Sequence, residues 1–499
     1  MSSVKKLAGQ TIWYGASSIF ARFLNYLLTP YLTLKLSGVG YGEMSLVYAM
    51  IPFLNVIFTY GLETAYFRFV QREETKKDLY DTGTVSLICS TIVLTIVMVF
   101  FSSPLAKMAS IEDHPEYITL SAFIIAFDAL TTLAFSRLRQ EGRPVKFAVT
   151  RIASILVNIA VIYFFISVCP AILKKNPGSF LKTVYDPSRG VLYVIIANLA
   201  SSFVTFILLS KEFFSFKWRF NSKLWKEMLV YSLPLLVAGF GGIINETFDR
   251  IMLGWWSPAA TEEAAKFEVG MYSACYKLSI LITLFIQAFK MGAEPFFFNQ
   301  AKSENPQRVY ARVMKFFVIT ISLMFLAVSL FLDEWKYFIR NPAMYPALKV
   351  VPVLLLANMF LGIYYNLSIW YKVTNKTMAG AWITVAGAAI TLTINYFFIP
   401  VYSYAACAWA TFFCYGFMMV MSYIWGQKLY PVPYAWKKLC SYMVIAVMLY
   451  FLHRGITYFL PGFFIQVITG FLLMTLYVLF ILRIEKKEFQ KLPVIGKFL

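Results

Sequence analysis

Acid is scarce in this chain. It has 25 Asp and Glu against 45 Lys and Arg in 499 residues, and charged residues make up only 14% of it. Soluble domains carry about 25% charged residues, so a soluble globular protein is excluded. There are two histidines, His114 and His453, too far apart in sequence to argue a site. The six cysteines (Cys89, Cys169, Cys275, Cys407, Cys414 and Cys440) show no CxxC and no ligand spacing, which leaves no basis for a disulfide framework or a metal site. Also missing are a Gly-rich phosphate loop, a Walker motif and any connection longer than about 25 residues between apolar runs. A membrane glycosyltransferase or polymerase needs a substantial loop to carry its catalytic acids, so the chain reads as a non-enzyme. The first apolar run follows Lys5 and Lys6 without a small-residue cleavage site, so no cleaved signal is expected.

Apolar residues are abundant: 60% of the chain is hydrophobic and 18% aromatic. Runs long enough to cross a bilayer, about 17–25 residues, number fourteen: 11–35, 44–70, 83–103, 118–137, 147–169, 190–210, 228–254, 269–291, 312–332, 348–371, 378–399, 404–426, 437–453 and 459–482. The fold class is therefore an all-α polytopic membrane protein of about 14 transmembrane helices. The net charge of +20 sits in the short connections. With a cytoplasmic N-terminus, one side carries thirty Lys and Arg and the other eleven. That bias predicts that both termini are cytoplasmic. It also explains the basic charge without nucleic acid. The turn Arg137–Pro144 is read on this basis as a positive-inside anchor.

Weak internal similarity points to a duplication. Val39-Gly40 matches Val269-Gly270, and Gly61-Leu62-Glu63 matches Gly292-Ala293-Glu294, at offsets of 230 and 231. The break falls at the basic, aromatic connection Lys211–Glu227. The predicted division is a first lobe, 1–220, a second from span seven, 228–453, and the last span with its tail, 459–499. The expectation is two seven-helix lobes around a central cavity, since repeat pairs commonly frame a transport pathway.

The most informative stretch is Gly239–Trp256, GFGGIINETFDRIMLGWW, with Glu246, Asp249 and Arg250 in an apolar run. A charge at the centre of a membrane helix costs roughly 2.5–3.5 kcal/mol on insertion scales. As a regular helix, it places Gly242, Glu246, Asp249 and Leu253 on one face and Arg250 one turn from Glu246, positioned to neutralise it. The plainer alternative is a helix end at the interface with snorkelling charges. Span one carries Ser18, Arg22, Asn25 and Thr29 as a polar stripe, span two Asn55, Thr59 and Glu63, and span eight Ser273, Lys277, Gln287 and Glu294, with Lys290 beside them. Outside these four spans Asp128 is the exception. The ionisable groups thus fall in corresponding helices of the two halves, as a polar cavity requires. The candidate substrate-binding residues are Arg22, Asn25, Arg250, Lys277 and Lys290, since arginine suits phosphate or carboxylate. The candidate cavity or ion-coupling acids are Glu63, Glu246, Asp249 and Glu294. These acids bind a coupling H+ or Na+, or simply neutralise the bases; the residues alone do not choose. No other cofactor is expected.

Asn395-Tyr396-Phe397-Phe398-Ile399-Pro400-Val401-Tyr402, running on to Ala408-Trp409-Ala410-Thr411, resembles a pattern of the multidrug/oligosaccharidyl-lipid/polysaccharide exporter superfamily, in its polysaccharide-synthesis (O-antigen type) branch. Ser403 and Ala406 stand where that pattern has glycines, Cys407 departs from it too, and Pro400 is expected to break the helix. Asp249-Arg250 followed by Leu253-Gly254, and Arg139-Gln140-Glu141-Gly142-Arg143, are further matches. The resemblance implies an alternating-access flippase of the bacterial inner membrane, with helices one, two, seven and eight lining its cavity. It would turn an undecaprenyl-diphosphate-linked oligosaccharide to the outer leaflet, with polysaccharide polymerase and glycosyltransferases as partners besides the lipid bilayer. It implies Arg22, Arg250 and Lys277 for the diphosphate or headgroup. A lipid II flippase and a drug/cation antiporter of the same superfamily are the rival readings.

Overall fold

The computed structural model describes residues 2–72, 78–301 and 304–490, with the side chains of 2–14, Val184, Pro295 and Asn299 left aside. Among the described residues every regular element is helical. Thirteen helical segments are long and apolar enough to cross a membrane, and α1, Ser2–Lys35, is a further long helix ahead of them. About 1.5 Å of rise per residue makes a 20-residue helix about 30 Å long, the thickness of the hydrocarbon layer. In chain order these are α2 (Gly38–Thr59), α3 (Leu79–Phe100), α4 (Pro115–Gln140), α5 (Pro144–Tyr163) and α6 (Gly190–Leu208). They continue with α7 (Ser222–Trp256), α8 (Glu262–Gln300), α9 (Pro306–Ser329), α10 (Val351–Leu367), α11 (Thr377–Tyr402), α12 (Tyr404–Leu429), α13 (Trp436–Phe459) and α14 (Phe463–Ile484).

The helix starts follow from local chemistry. Pro115, Pro144 and Pro306 occupy the first turn of α4, α5 and α9, where a missing N–H costs nothing. Ser37 caps α2 by accepting from Gly40 N at 3.0 Å, and Asn221 caps α7 by accepting from Leu224 N at 3.1 Å.

The packing forms two compact units. The first comprises Met1–Ala274, Ile339–Ala347 and Ala381–Cys414; the second comprises Cys275–Phe338, Leu348–Gly380 and Tyr415–Leu499. This packing division cuts the chain elsewhere than 1–220, 228–453 and 459–499, because α7 packs on α2 in the first unit. There Phe53 of α2 meets Phe240 at 4.8 Å and Phe248 at 5.9 Å between ring centres. The first turns of α8 also cross α2 at backbone distance in that unit. A Cβ on Gly42 would lie 1.8 Å from the Lys266 carbonyl oxygen, and one on Gly270 2.3 Å from that of Gly38. Beside the crossing, Lys266 pairs with Glu43 at 3.1 Å and Asp113 at 3.5 Å.

Departures from the expected regularity at three places bear on the site. The run 44–70 is not one helix: Tyr60 (φ 33°) and Gly61 (φ 74°) enter the left-handed region and a new helix runs Leu62–Phe69. Glu63 therefore begins a second segment instead of extending the stripe of Asn55 and Thr59. In α7 the α-helical ladder ends at Ile243, a π-helical turn spans Ile244–Phe248, and α-helix resumes over Asp249–Trp256. Pro400 does not break α11, which continues to Tyr402. The break falls at Ser403, with φ 50°. That conformation favours glycine, the residue usual at this place in the pattern.

Candidate functional site

The extra residue of the π-helical turn rotates the helix downstream of it, so the regular face of Gly242, Glu246, Asp249 and Leu253 is lost. Asp249 turns inward and is only 3% exposed, whereas Glu246 is exposed. The Asp249 carboxylate accepts the Tyr272 hydroxyl at 2.6 Å on Oδ2. On Oδ1 it accepts the Arg250 backbone N–H at 2.9 Å and Nη1 of the same arginine at 3.1 Å. Arg250 Nη1 also donates to the Glu246 carbonyl at 2.9 Å, and its guanidinium lies 5.8 Å from the Tyr272 ring centre. The expectation that Glu246 neutralises Arg250 is corrected here: its backbone oxygen bonds Arg250, and Asp249 supplies the carboxylate. Behind this group Asn245 accepts from Thr391 at 3.2 Å and donates to the Thr384 carbonyl at 3.2 Å. The Cys407 thiol lies 3.7 Å from the Asp249 carbonyl. Asn395 is fully buried, and its Oδ1 has no hydrogen-bond partner among the described residues.

A second cluster in the first unit surrounds α4 and α5. Glu63 is ion-paired with Arg139 at the last turn of α4, and that guanidinium lies 4.9 Å from the Phe67 ring centre. Asp128 lies three turns earlier on α4. Arg151 of α5 lies 4.2 Å from the Phe135 ring centre and 5.7 Å from that of Phe147. The charges acting on Arg151 are those of Asp128, Arg139, Glu63 and Arg22. Arg22 and Asn25 are exposed on α1.

The second unit has its own cluster. Glu294 accepts from Lys372 at 2.5 Å and lies 3.9 Å from Lys290, whose ammonium is 4.6 Å from the Tyr365 ring centre. These residues, with Phe289, Asn366 and Ser368, line a narrow recess. Lys277 is half-buried on α8.

Two buried acids outside the spans tie connections to helix ends. Glu212 meets Arg143 at 2.8 Å and Lys146 at 2.6 Å. Glu485 meets Lys315 at 2.6 Å, Lys438 at 3.2 Å and the Tyr442 hydroxyl at 2.6 Å. Burial alone raises both carboxyls, but these partners hold each below its ordinary value.

Residues 7–300 match the family model described as "Polysaccharide biosynthesis protein". The chain belongs to that family. One relative is "Lsg locus putative protein 1" of Haemophilus influenzae, 20% identical over 304 residues, which cover 60% of this chain and 68% of the relative. The fold is similar to that of "Lipid II flippase MurJ, inward closed conformation", with a TM-score of 0.72 at 15% identity over 95% of this chain and 99% of that one. It is also similar to an inward-facing multidrug resistance MATE family transporter of the MOP superfamily, with a TM-score of 0.55 at 15% identity over 85% and 93%. At these identities the likeness carries the fold alone.

Within this member of the family, the candidates from sequence divide among three places. Asp249 and Arg250 stand together on α7. Glu63 and Arg22 belong to the α4 and α5 cluster of the first unit, and Lys290 and Glu294 to that of the second. Tyr272, Arg139, Arg151 and Lys372 were missed. The arginines and Lys372 sit at or near helix ends, where charge counts as positive-inside anchoring. Arg139 instead closes an ion pair, which corrects the reading of Arg137–Pro144 as an anchor alone. The two histidines have local roles. His114 sits 3.1 Å from Glu116, and buried His453, within α13, bonds the Gln466 carbonyl at 3.0 Å.

Proposed function

We propose that this chain is a transporter that turns an undecaprenyl-diphosphate-linked oligosaccharide from the cytoplasmic to the outer leaflet for surface polysaccharide synthesis, by alternating access. The supporting observation is the placement of ionisable groups inside spanning helices, in a member of the polysaccharide biosynthesis family. A diphosphate and its sugars do not cross about 30 Å of hydrocarbon without a polar route. The lipid tail needs none. Arg22, Arg250, Lys277 and Lys290, with Asn25, take the diphosphate and first sugars. Glu63, Glu246, Asp249 and Glu294 set the geometry of these bases or bind a coupling H+ or Na+. Asp249 is the strongest coupling candidate, being buried and held by Tyr272.

Both termini are cytoplasmic in this reading, and polymerase and glycosyltransferases act on the same substrate on either side of the step. A lipid II flippase has the same lipid diphosphate chemistry and a similar fold. Drug/cation antiport is less favoured, because bases this deep in the helices suit an anionic substrate. The test is complementation of a strain lacking the chain, scored for surface polysaccharide and separately for peptidoglycan growth. The flippase reading expects rescue of polysaccharide by the wild type and none by Arg22→Ala or Arg250→Ala at equal membrane levels. Normal polysaccharide from both variants sinks the site assignment. Rescue of peptidoglycan growth alone moves the substrate to lipid II.

A further inference from the structure

Arg151 is the arginine whose setting the reading above leaves unused. It lies seven residues into α5, about 10 Å along the helix from Pro144. Its side chain is exposed in the first unit.

Its guanidinium packs on Phe135, 4.2 Å from the ring centre, with Phe147 on a second side. Packing on an aromatic ring spends none of the N–H groups, so they stay available to an acceptor. Among the described residues none takes them: no carboxylate lies within 4.0 Å and no hydrogen bond is made. Asp128, the nearest acid in effect, makes no ion pair with it. Glu63 is committed to Arg139. Three arginines (Arg22, Arg139 and Arg151) thus share one neighbourhood with two acids, leaving an excess of one positive charge and one guanidinium with five unspent donors. Keeping a cation inside a spanning helix is expensive, and a site that holds it without a counter-ion favours an anion when one arrives.

We propose that Arg151, held on Phe135, is a seat for the phosphate end of the lipid-linked substrate in the first unit. It is a binding and specificity-determining residue additional to those of α1, α7 and α8. The inference rests on the flippase reading for the identity of the lipid, but not for the anion chemistry. Lipid and free anion share that chemistry, so both are tested.

The full chain in nanodiscs of zwitterionic lipid is titrated with undecaprenyl diphosphate, undecaprenol and inorganic pyrophosphate, with bound ligand read by native mass spectrometry. The expected result is preference for undecaprenyl diphosphate over undecaprenol, weakened about tenfold to a hundredfold in Arg151→Gln. Arg151→Lys, which keeps the charge without the planar stack, falls between. Lys174→Gln, which removes a positive charge from an exposed position elsewhere, leaves affinity unchanged. If Arg151→Gln does not fold, Phe135→Leu removes the stacking surface and keeps the charge, and the same weakening is expected. Wild-type affinity in these variants, with Arg250→Gln weakened, overturns the seat and spares the flippase reading. Binding of pyrophosphate that depends on Arg151, without preference for the lipid diphosphate, keeps the seat and overturns the lipid. No binding of either anion overturns the seat.

Discussion

Glu63, at the start of the segment after α2, pairs with Arg139 at the end of α4. The pair has a counterpart in the second unit. Glu294, 231 residues further on, pairs with Lys372 just beyond α10. The two matching sequence positions thus each carry an ion pair. In each unit an aromatic ring supports a base: Phe67 beneath Arg139, and Tyr365 beneath Lys290.

Both pairs are part-exposed, so each contributes little to stability, under about 1 kcal/mol for exposed pairs. If they position bases for transport, the functional effect is larger. Glu63→Gln and Arg139→Gln are each expected to reduce surface polysaccharide several-fold with thermal unfolding shifted by only a few degrees. The charge-swapped double variant, Glu63→Arg with Arg139→Glu, recovers part of the loss. Equal loss in single and swapped variants contradicts a positioning role for the pair.

Tyr272 and Asp249 are coupled more tightly. Tyr272→Phe removes an O–H donor from a buried carboxylate, a loss of about 1–3 kcal/mol when the acceptor finds no replacement. The expected outcome is a lower unfolding temperature in detergent and polysaccharide export reduced to a fraction of wild type, with Asp249→Ala more severe. Unchanged unfolding in Tyr272→Phe shows that the hydrogen bond is dispensable.

The crossing of α2 and the start of α8 leaves no room for a methyl group. Gly42→Ala pushes a Cβ into the Lys266 carbonyl, and overpacking of this kind costs typically 1–3 kcal/mol. Lower folded yield and earlier thermal unfolding are expected. Gly292→Ala, with no neighbour within 4 Å, is expected to behave as wild type.

Acid sensitivity is expected from Glu212 and Glu485. Each carboxyl is held below its unfolded value, so its contribution is complete above about pH 4.3 and is lost as pH falls through the folded value. Unfolding temperature is therefore expected to drop as pH falls below about 4.3. Glu212→Gln with Glu485→Gln lowers stability at pH 7 and flattens that decline. An undiminished slope in the double variant assigns the acid sensitivity to other groups.

Much of the fold was legible because twenty-residue apolar runs leave a chain little choice in a bilayer, where each backbone group must bond within its own helix. The helix breaks were less legible. Gly61 and Gly292 occupy matching positions, yet one is left-handed and the other lies within the unbroken α8. The π-helical turn has no marker in GFGGIINETF, and it moved Glu246 out of the role that helix-face arithmetic assigned to it. Residues at helix ends were hardest to read. Composition cannot separate Arg139 or Arg151 from a lysine that merely anchors a helix. The partners Glu63 and Phe135, distant or on another helix, make the difference.

The most direct measurement of the central claim is transbilayer movement of a purified undecaprenyl-diphosphate-linked oligosaccharide in proteoliposomes, read as the fraction of sugar open to a membrane-impermeant oxidant. The account predicts that this fraction rises with wild-type protein and stays at the protein-free level with Arg250→Ala. A wild-type trace that matches protein-free liposomes, with the protein folded and either coupling ion supplied as a gradient, contradicts it.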